Sequence, residues 1–363
     1  MNHILPLRDF LYEQEVSEQP YKIVVFVNTT ADVRDVGDKT RKEFDLLNKA
    51  AKNLGIEMHH VDFVGCYVSQ KNGKLYVNSL AFDDDGNAIL PAEDGEAEYK
   101  DPIEIDKSNT LIIPRGLGTP GFTSSRYWVD TISLFEEMGF MTVPSIKTWN
   151  MCNSKYFCNE LFKLNNLRTP KTVPITYSDD TPRAMEELGN KYPVILKASS
   201  GSQTGVGVVI SESEKSLHAT VQMIKLLNKN IDLILQEYVK IEYDVRAVVL
   251  DGKVIASMKR NVAKGDFRSN ASLGAETEEH ELTELETIEC EKASELVDGK
   301  LIGVDFMPAK DREKEKPFIL EVNASPGFAG IQGTVKSKNV LKEIFTHFKN
   351  RDNWTWLLTT KVV

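Results

Sequence analysis

The chain has 363 residues, of which 41% are hydrophobic and 27% are charged, as is typical of a soluble globular protein. This length predicts two or three domains, since one domain commonly takes roughly 100–200 residues. The net charge of -10 argues against direct nucleic-acid binding and against binding to an anionic membrane surface.

The cysteines and the first residues bear on the cellular compartment. Cys66, Cys152, Cys158 and Cys290 form no C-x-x-C pair and have no histidine at zinc-ligand spacing. Cys152 and Cys158 are expected on one helix. Residues 1–20, an N-terminal tail, do not resemble a signal peptide, and no apolar run is long enough to span a membrane. Free thiols without a signal peptide predict a reducing compartment, so the cytoplasm is the expected location.

Residues 21–145 read as a parallel α/β domain. Tyr21–Val27 is a predicted strand, apolar residues recur at helical spacing from Phe44 to Leu54, and Ile56–Val61 is a second predicted strand. The β-α-β order predicts a parallel sheet with helical crossovers, which resumes at Thr110–Ile113.

Residues 66–101 interrupt this domain with a predicted insertion. Lys74–Val77 and Asn87–Leu90 flank Asp83–Gly86, which is expected to be a hairpin turn. The residues that follow, 92–101, are acidic and are expected to form a surface loop. The three aspartates could bind a cation, but charge runs are more often solvated turns.

The second half of the chain reads as α+β. Strands are predicted at 193–198, 206–210, 232–238, 245–250 and 253–260. They are expected to pair mostly antiparallel, because short turns such as Asp251-Gly252 connect them. Asn153 is a predicted cap for a helix that runs to about Asn166, and capping boxes are predicted at Ser211–Glu214 and Thr283–Glu286.

The strand within Pro317–Gly327 is the most informative segment. Glu321 and Asn323 are expected on one strand face, with Leu320 and Val322 on the other. A carboxylate and an amide oxygen on a rigid strand suit Mg²⁺, although an exposed strand face before a turn is an equal alternative. Asp305 lies in the apolar strand Leu301–Met307, and an antiparallel pairing would bring it to the same site.

Three further segments suit a nucleotide. Val194–Lys197 leads into a glycine-rich loop that joins two strands, which fits a mobile lid over phosphates or a plain β-hairpin. Leu233–Val239 ends in polar residues that could contact adenine and ribose. Lys259, Arg260 and Arg268 could balance phosphate charge or hold a carboxylate, although solvation is the better expectation for any single cation.

In this order, these segments resemble the ATP-grasp ligases, and most closely the RimK-like glutamate ligases. Gly265–Asn270 and Leu320–Gly327 carry the most specific part of the resemblance, which covers about residues 110–350. The resemblance implies an N-terminal parallel α/β pre-ATP-grasp domain (21–145), a central lid domain (146–236) and a C-terminal α+β domain (237–350), followed by a tail (351–363).

The resemblance also implies roles for individual residues. The cofactors would be ATP and two Mg²⁺ ions, with Mn²⁺ as an alternative metal, and the metal ligands would be Asp305, Glu321 and Asn323. Arg268 and Asn270 would be catalytic. The expected nucleotide-binding residues are Lys155, Lys197, Gly201, Ser202, Gln203, Gly205, Gly207, Gln236, Glu237, Tyr238, Val239, Asp244, Arg268, Ser269 and Asn270.

The expected activity is ATP-dependent carboxylate–amine ligation through an acylphosphate, with an amino acid such as glutamate added to a peptide, protein or small amine. Departures from the family pattern leave the acceptor open, above all Ala271–Ala275 where an arginine and two glycines commonly follow. A dipeptide or metabolite ligase and a nucleotide-binding module without turnover are the alternatives. The family suggests a homo-oligomer, and Trp354 and Trp356 could pack on a neighbour or on their own chain.

Overall fold

The computed structural model describes residues 21–28, 37–83, 87–91, 95–115, 125–200, 208–240, 242–262 and 276–358. The chain divides into two compact units. The first comprises Met1–Arg115, Thr131–Thr142 and Phe345–Val363, and the second comprises Gly116–Asp130 and Val143–Ile344. The boundaries of the three domains expected from the sequence stay a prediction.

The α-helices in the described part of the chain are α1 (Gly37–Asn53), α2 (Ser125–Glu137), α3 (Ile146–Asn153), α4 (Lys155–Leu164), α5 (Thr181–Glu187), α6 (Glu214–Leu227), α7 (Glu284–Leu296), α8 (Phe328–Thr334) and α9 (Val340–Lys349). Short 3₁₀ helices lie at Ser178–Asp180 and Arg351–Leu358. None of these helices combines the length and the apolar character that a membrane crossing would need.

The first unit contains the parallel sheet that the sequence predicts. Its strands are β1 (Lys22–Val27), β2 (Glu57–Asp62), β6 (Thr110–Pro114) and β7 (Met141–Thr142). They run in the order β2-β1-β6-β7, and each neighbouring pair is parallel. The β-α-β prediction is therefore confirmed.

Aromatic side chains pack the core of this first unit. The Phe26 ring lies 5.2 Å from the Phe63 ring and 5.6 Å from the Phe135 ring, between ring centroids. Trp354 in the C-terminal tail donates from Nε1 to the Phe348 carbonyl at 2.8 Å, and its ring lies 6.0 Å from the Tyr21 ring. This tail tryptophan thus packs on its own chain.

The insertion contributes β3 (Tyr67–Lys71) and β4 (Lys74–Asn78) to a separate antiparallel sheet, which is completed by β5 (Ile103–Ile105) just after it, in the order β3-β4-β5. The two segments predicted to flank the Asp83–Gly86 turn, Lys74–Val77 and Asn87–Leu90, do not pair with each other. Strand β4 pairs with β3 instead, because Asn72 and Gly73 adopt φ values of +54° and +77° that suit a two-residue hairpin. The chain does reverse at the predicted Asp83 turn, of which residues 84–86 lie outside the described residues: Phe82 forms an antiparallel bridge with Ala88, and the Asp83 N–H donates to the Asn87 carbonyl at 2.9 Å.

The second unit begins with an antiparallel sheet. Its strands are β8 (Thr172–Ile175), β9 (Val194–Ala198), β10 (Val208–Ser211) and β11 (Leu233–Glu237), in the order β10-β9-β11-β8. Helices α5 and α6 contribute Ala184, Leu217 and Val221 to its core. The capping box predicted at Ser211 is wrong, because Ser211 ends β10 and Ser213 caps α6 with Ser216.

A second antiparallel sheet completes this unit. Its strands are β12 (Tyr243–Leu250), β13 (Lys253–Asn261), β14 (Thr277–Glu279), β15 (Leu301–Met307) and β16 (Phe318–Asn323), in the order β14-β13-β12-β15-β16. The Asp251-Gly252 hairpin turn is confirmed, with φ values of +47° and +76°. The capping box at Thr283 and Glu286, which begins α7, is also confirmed.

Helices α3 and α4 correct two predictions. Asn153 does not cap the helix that contains Lys155, because it ends α3, and the Ser154 side chain instead accepts from the Phe157 N–H at the start of α4. Cys152 and Cys158 therefore lie on consecutive helices. Cys158 and Phe162 of α4 pack into the same core as β12, β15 and β16.

Candidate active site

Strand register gathers charged side chains on one face of the β12–β16 sheet. Arg246 lies opposite Asp305, Asp305 lies opposite Glu321, and Asp244 lies opposite Arg260. The intervening residues of β12, such as Val245, point the other way into the apolar core. Because side chains alternate along a strand, ion pairs and core share the same strands without mixing.

Two arginines hold the carboxylates of this face. Arg246 donates from Nε and Nη2 to the two oxygens of Asp305, at 2.7 and 2.6 Å. Arg260 makes the same two-pronged contact with Asp244, at 2.6 and 2.7 Å, and its Nη2 lies 3.2 Å from Asp305 Oδ2. Burial opposes ionisation of Asp305, but the two arginines outweigh it and lower the pKa of this carboxyl to about 2.

Glu321 and Asn323 stand beside Asp305 with their oxygens available. Asn323 donates from Nδ2 to Asp305 Oδ2 at 3.4 Å. No hydrogen bond or ion pair to Glu321 is found among the described residues. Its carboxylate lines a pocket of about 60 Å³ with Asn323, Lys155 and Cys158. Such a carboxylate and the amide oxygen next to it are a suitable pair of ligands for Mg²⁺.

A partly hydrated magnesium ion suits Asp305, Glu321 and Asn323 better than a metal ion coordinated by protein side chains alone. Within the described ranges, no group of three or more His, Cys, Asp and Glu side chains is placed to hold a metal ion. Mg²⁺ commonly takes one or two carboxylates and fills its octahedral shell with water and substrate phosphate. Two carboxylates and one amide oxygen meet that requirement.

The predicted alternation along β16 is only partly right. The register shifts between Asp305 and Phe306, which face Glu321 and Ile319, so Leu320 is an extra residue in a β-bulge. The buried residues of β16 are consequently Ile319 and Val322, and the half-buried Leu320 does not join them in the core. Glu321 and Asn323 still share the site.

Lys197 reaches this site from the other sheet of the unit. It lies on β9, donates from Nζ to Gln236 Oε1 at 2.8 Å, and Gln236 donates in turn to Thr172 Oγ1 at 2.8 Å. Burial lowers the pKa of Lys197, while the charge of Glu321 raises it and that of Lys155 lowers it. The Lys197 ammonium thus interacts electrostatically with both Glu321 and Lys155.

The other expected nucleotide contacts are placed less directly. Lys155 begins α4, and its backbone N–H donates to the Ser199 carbonyl at 2.8 Å. Glu237 Oε1 accepts from the Lys171 N–H at 2.8 Å. Tyr238 and Val239 follow β11, where the polypeptide leaves the first sheet of the unit.

Several predicted residues lie outside the described residues, namely Gly201, Ser202, Gln203, Gly205, Gly207, Arg268, Ser269 and Asn270. Of the three cations considered together, Lys259 pairs with Glu278 at 2.7 Å and Arg260 with Asp244. The roles of Arg246 and Arg260 around Asp305 were missed, although the spacing of Asp244 and Arg246 already places both on one strand face.

Two antiparallel sheets that bring Lys197, Glu321 and Asp305 to one site are the arrangement of an ATP-grasp ligase, an enzyme class that forms C–N bonds. The family model of the RimK-like ATP-grasp domain matches residues 152–347, more than half of the chain. The chain belongs to this family, in which binding of ATP and Mg²⁺ is general.

Three similar proteins illustrate the likeness. A "Probable alpha-L-glutamate ligase" of Teredinibacter turnerae is 30% identical over 288 residues, covering 79% of this chain and 84% of the relative. The ligase PsnB, solved with a phosphomimetic variant of a minimal precursor, Mg and ADP, superposes with a TM-score of 0.59 at 19% identity, covering 89% and 96% of the two chains.

The D-alanine–D-alanine ligase of Bacillus anthracis, solved with ATP, has a TM-score of 0.56 at 15% identity and covers 90% and 95%. At these identities, the two solved structures support the fold alone. The ATP-grasp fold expected from the sequence is thereby confirmed.

Proposed function

We propose that this enzyme activates a substrate carboxylate with ATP and joins it to an amine, adding an amino acid such as glutamate to a peptide, protein or small amine. The observation that carries the proposal is the unpartnered Glu321 carboxylate, beside Asp305 and Asn323 and within electrostatic reach of Lys155 and Lys197. Carboxylate ligands next to phosphate-binding lysines suit a magnesium nucleotide.

Asp305, Glu321 and Asn323 would hold two Mg²⁺ ions, and Mn²⁺ would be accepted by the same oxygen ligands. The metal supplies charge neutralisation and Lewis-acid polarisation of phosphate. Lys197 and Lys155 would bind phosphate oxygens, while Gln236 fixes the Lys197 ammonium through their 2.8 Å hydrogen bond. Glu237, Tyr238 and Val239 are proposed to hold the adenosine.

The proposed reaction proceeds through an acylphosphate. A donor carboxylate oxygen attacks the γ-phosphorus of ATP and ADP leaves. The acceptor amine then attacks the acyl carbon, loses a proton and expels phosphate as the amide forms. Arg268 and Asn270 are proposed to stabilise the negative charge that develops during these steps. Positioning and electrostatics supply the catalysis, so no enzyme nucleophile is required.

Glutamate is the first donor to test, because the curated relative carries the name alpha-L-glutamate ligase. The acceptor is a peptide, a protein tail or a small amine. The sheet β3-β4-β5, to which the insertion contributes two strands, departs from the expected family pattern. This difference is consistent with an acceptor that is specific to this enzyme. We place the enzyme in the cytoplasm, and a homo-oligomer is the proposed assembly.

A coupled ADP-release screen tests this function. Amino acids are offered as donors, and amino acids, peptides and amines as acceptors, with product masses read by mass spectrometry. The expected result is ADP release that requires both substrates, with a product heavier than the acceptor by one donor residue. When the donor carboxylate carries ¹⁸O, one labelled oxygen should appear in the released phosphate. Unlabelled phosphate would contradict the acylphosphate route.

A further inference from the structure

We propose that Arg246 is a counterion that leaves Asp305 when a divalent cation binds there, and that the freed guanidinium then contacts the transferred phosphoryl group. This inference rests on the proposed function and adds a role for a residue outside the expected metal and nucleotide ligands. It predicts that metal and Arg246 compete for the same carboxylate.

The competition follows from the occupancy of the Asp305 oxygens. Arg246 binds Oδ1 at 2.7 Å and Oδ2 at 2.6 Å, and Oδ2 also has Arg260 at 3.2 Å and Asn323 at 3.4 Å. A magnesium ligand must approach the ion to about 2.0–2.1 Å with near-octahedral geometry. Three donors therefore share Oδ2, and a cation on the remaining lone pair of Oδ1 would lie beside the Arg246 guanidinium that holds the same carboxylate. Two cations on one carboxylate would also repel each other.

Arg246 and Arg260 differ in how firmly they are held. Among the described residues, Asp305 is the hydrogen-bonding partner of Arg246, whose side chain is 18% exposed. The Arg260 side chain is 4% exposed and is anchored by both oxygens of Asp244. When a cation takes Asp305, Arg260 therefore keeps a partner, whereas Arg246 loses its own and has a path toward solvent.

The metal-free site has a physical need for this counterion. Asp305 is buried, and the Glu321 carboxylate faces it across the β15–β16 pairing. An uncompensated buried carboxylate is strongly unfavourable, so a guanidinium that stays until the cation arrives keeps the site folded. Once released, its planar donors match two phosphate oxygens, which Lys197 alone cannot engage in that way.

The test measures Mn²⁺ binding by electron paramagnetic resonance at pH 7.5 without nucleotide. Arg246→Met removes the competitor, so we expect Mn²⁺ to bind roughly tenfold more tightly than to wild type. Arg246→Lys, which cannot bridge both oxygens of Asp305, should show a smaller increase in Mn²⁺ affinity. This variant still allows the inference to be tested if Arg246→Met does not fold. With ATP and substrates, Arg246→Met should lose ADP formation despite its tighter metal binding.

Two matched variants separate the alternatives. Arg260→Met removes the other guanidinium near Asp305 but leaves the two-pronged Arg246 contact in place, so it should tighten Mn²⁺ binding less than Arg246→Met does. Arg312→Met breaks a similar two-pronged pair with the buried Glu286, at 2.9 and 2.7 Å, and should leave Mn²⁺ affinity unchanged. Equal or weaker Mn²⁺ binding by both folded Arg246 variants would overturn the inference.

A failure of the proposed function can be distinguished from a failure of this inference. If wild type binds Mn²⁺ and Glu321→Gln binds it equally well, the assigned metal site itself is wrong. If Glu321→Gln abolishes binding while the Arg246 variants fail to strengthen it, the metal site stands and the counterion role of Arg246 is refuted.

Discussion

Removing Arg260 should destabilise the second unit far more than removing an exposed arginine with the same geometry. Arg260 binds Asp244 with two hydrogen bonds of 2.6 and 2.7 Å and lies 3.2 Å from Asp305, and all three side chains are buried. Arg260→Met leaves two buried carboxylates with less compensation. Breaking a buried ion pair from one side costs about 3–5 kcal/mol, and we expect a loss of that size.

Arg183 supplies the comparison within the same unit. It contacts Asp180 through Nε at 2.6 Å and Nη2 at 2.8 Å, but its side chain is 45% exposed. Solvent screens such a pair, so Arg183→Met should cost less than ~1 kcal/mol. Urea unfolding followed by circular dichroism measures both values. Similar losses for the two variants, or a loss below ~1 kcal/mol for Arg260→Met, would refute the burial argument.

Three further predictions concern separate features. Lys197→Met should reduce ADP formation at least ~100-fold, because the positive charge that stabilises the phosphate is lost. The same change should alter the free energy of unfolding by no more than ~1 kcal/mol, because the loss of the hydrogen bond to Gln236 is offset by removing the cost of burying an ammonium group. Gly303→Ala should cost about 1–2 kcal/mol in urea unfolding, because its Cβ would lie 3.0 Å from Pro326 Cβ; a neutral result would show that Pro326 yields. Burial lowers the pKa of His60 from 6.5 to about 4. As the pH falls, the unfolded chain therefore binds a proton at His60 before the folded chain does, and folding becomes less favourable. Native-state hydrogen exchange of β1 and β2 should show a loss of up to ~3 kcal/mol in the free energy of unfolding between pH 6.5 and 4. The His60→Gln variant should not show this loss.

The sequence was a good guide wherever local chemistry decides structure. The β-α-β order predicted the parallel sheet, and the Asp251-Gly252 pair predicted the β12–β13 hairpin, since both residues adopt the positive φ that this turn requires. The pairing of β15 with β16 was also predicted, and with it the closeness of Asp305 to Glu321.

Register was the part that the sequence could not specify. Counting back from the Asp251-Gly252 turn would place Asp244 opposite Lys259. A shift between Val248 and Val249 moves the partner by one residue, so Asp244 faces Arg260 instead. A bulge is favoured by packing and twist, not by a residue pattern, which is why the buried network around Asp305 could not be read from the sequence.

Competition between equally good local signals explains the other errors. Ser211 and Ser213 are both acceptable caps, and the end of β10 at Ser211 decides for Ser213. In the insertion, Asn72-Gly73 is a shorter and stronger hairpin signal than the aspartate run at Asp83, and β4 pairs across it. Such choices depend on tertiary partners that no single segment contains.

The role of Glu321 as a metal ligand is the central claim, and ADP release by Glu321→Ala tests it most directly. Wild type and the variant are compared at saturating ATP, Mg²⁺ and the best substrate pair, with Glu315→Ala as the control, since Glu315 is an exposed carboxylate 3.4 Å from Arg168. We predict that Glu321→Ala folds normally and releases no ADP above background, while Glu315→Ala behaves as wild type. Undiminished, substrate-dependent ADP release by Glu321→Ala would contradict the assignment of the magnesium site.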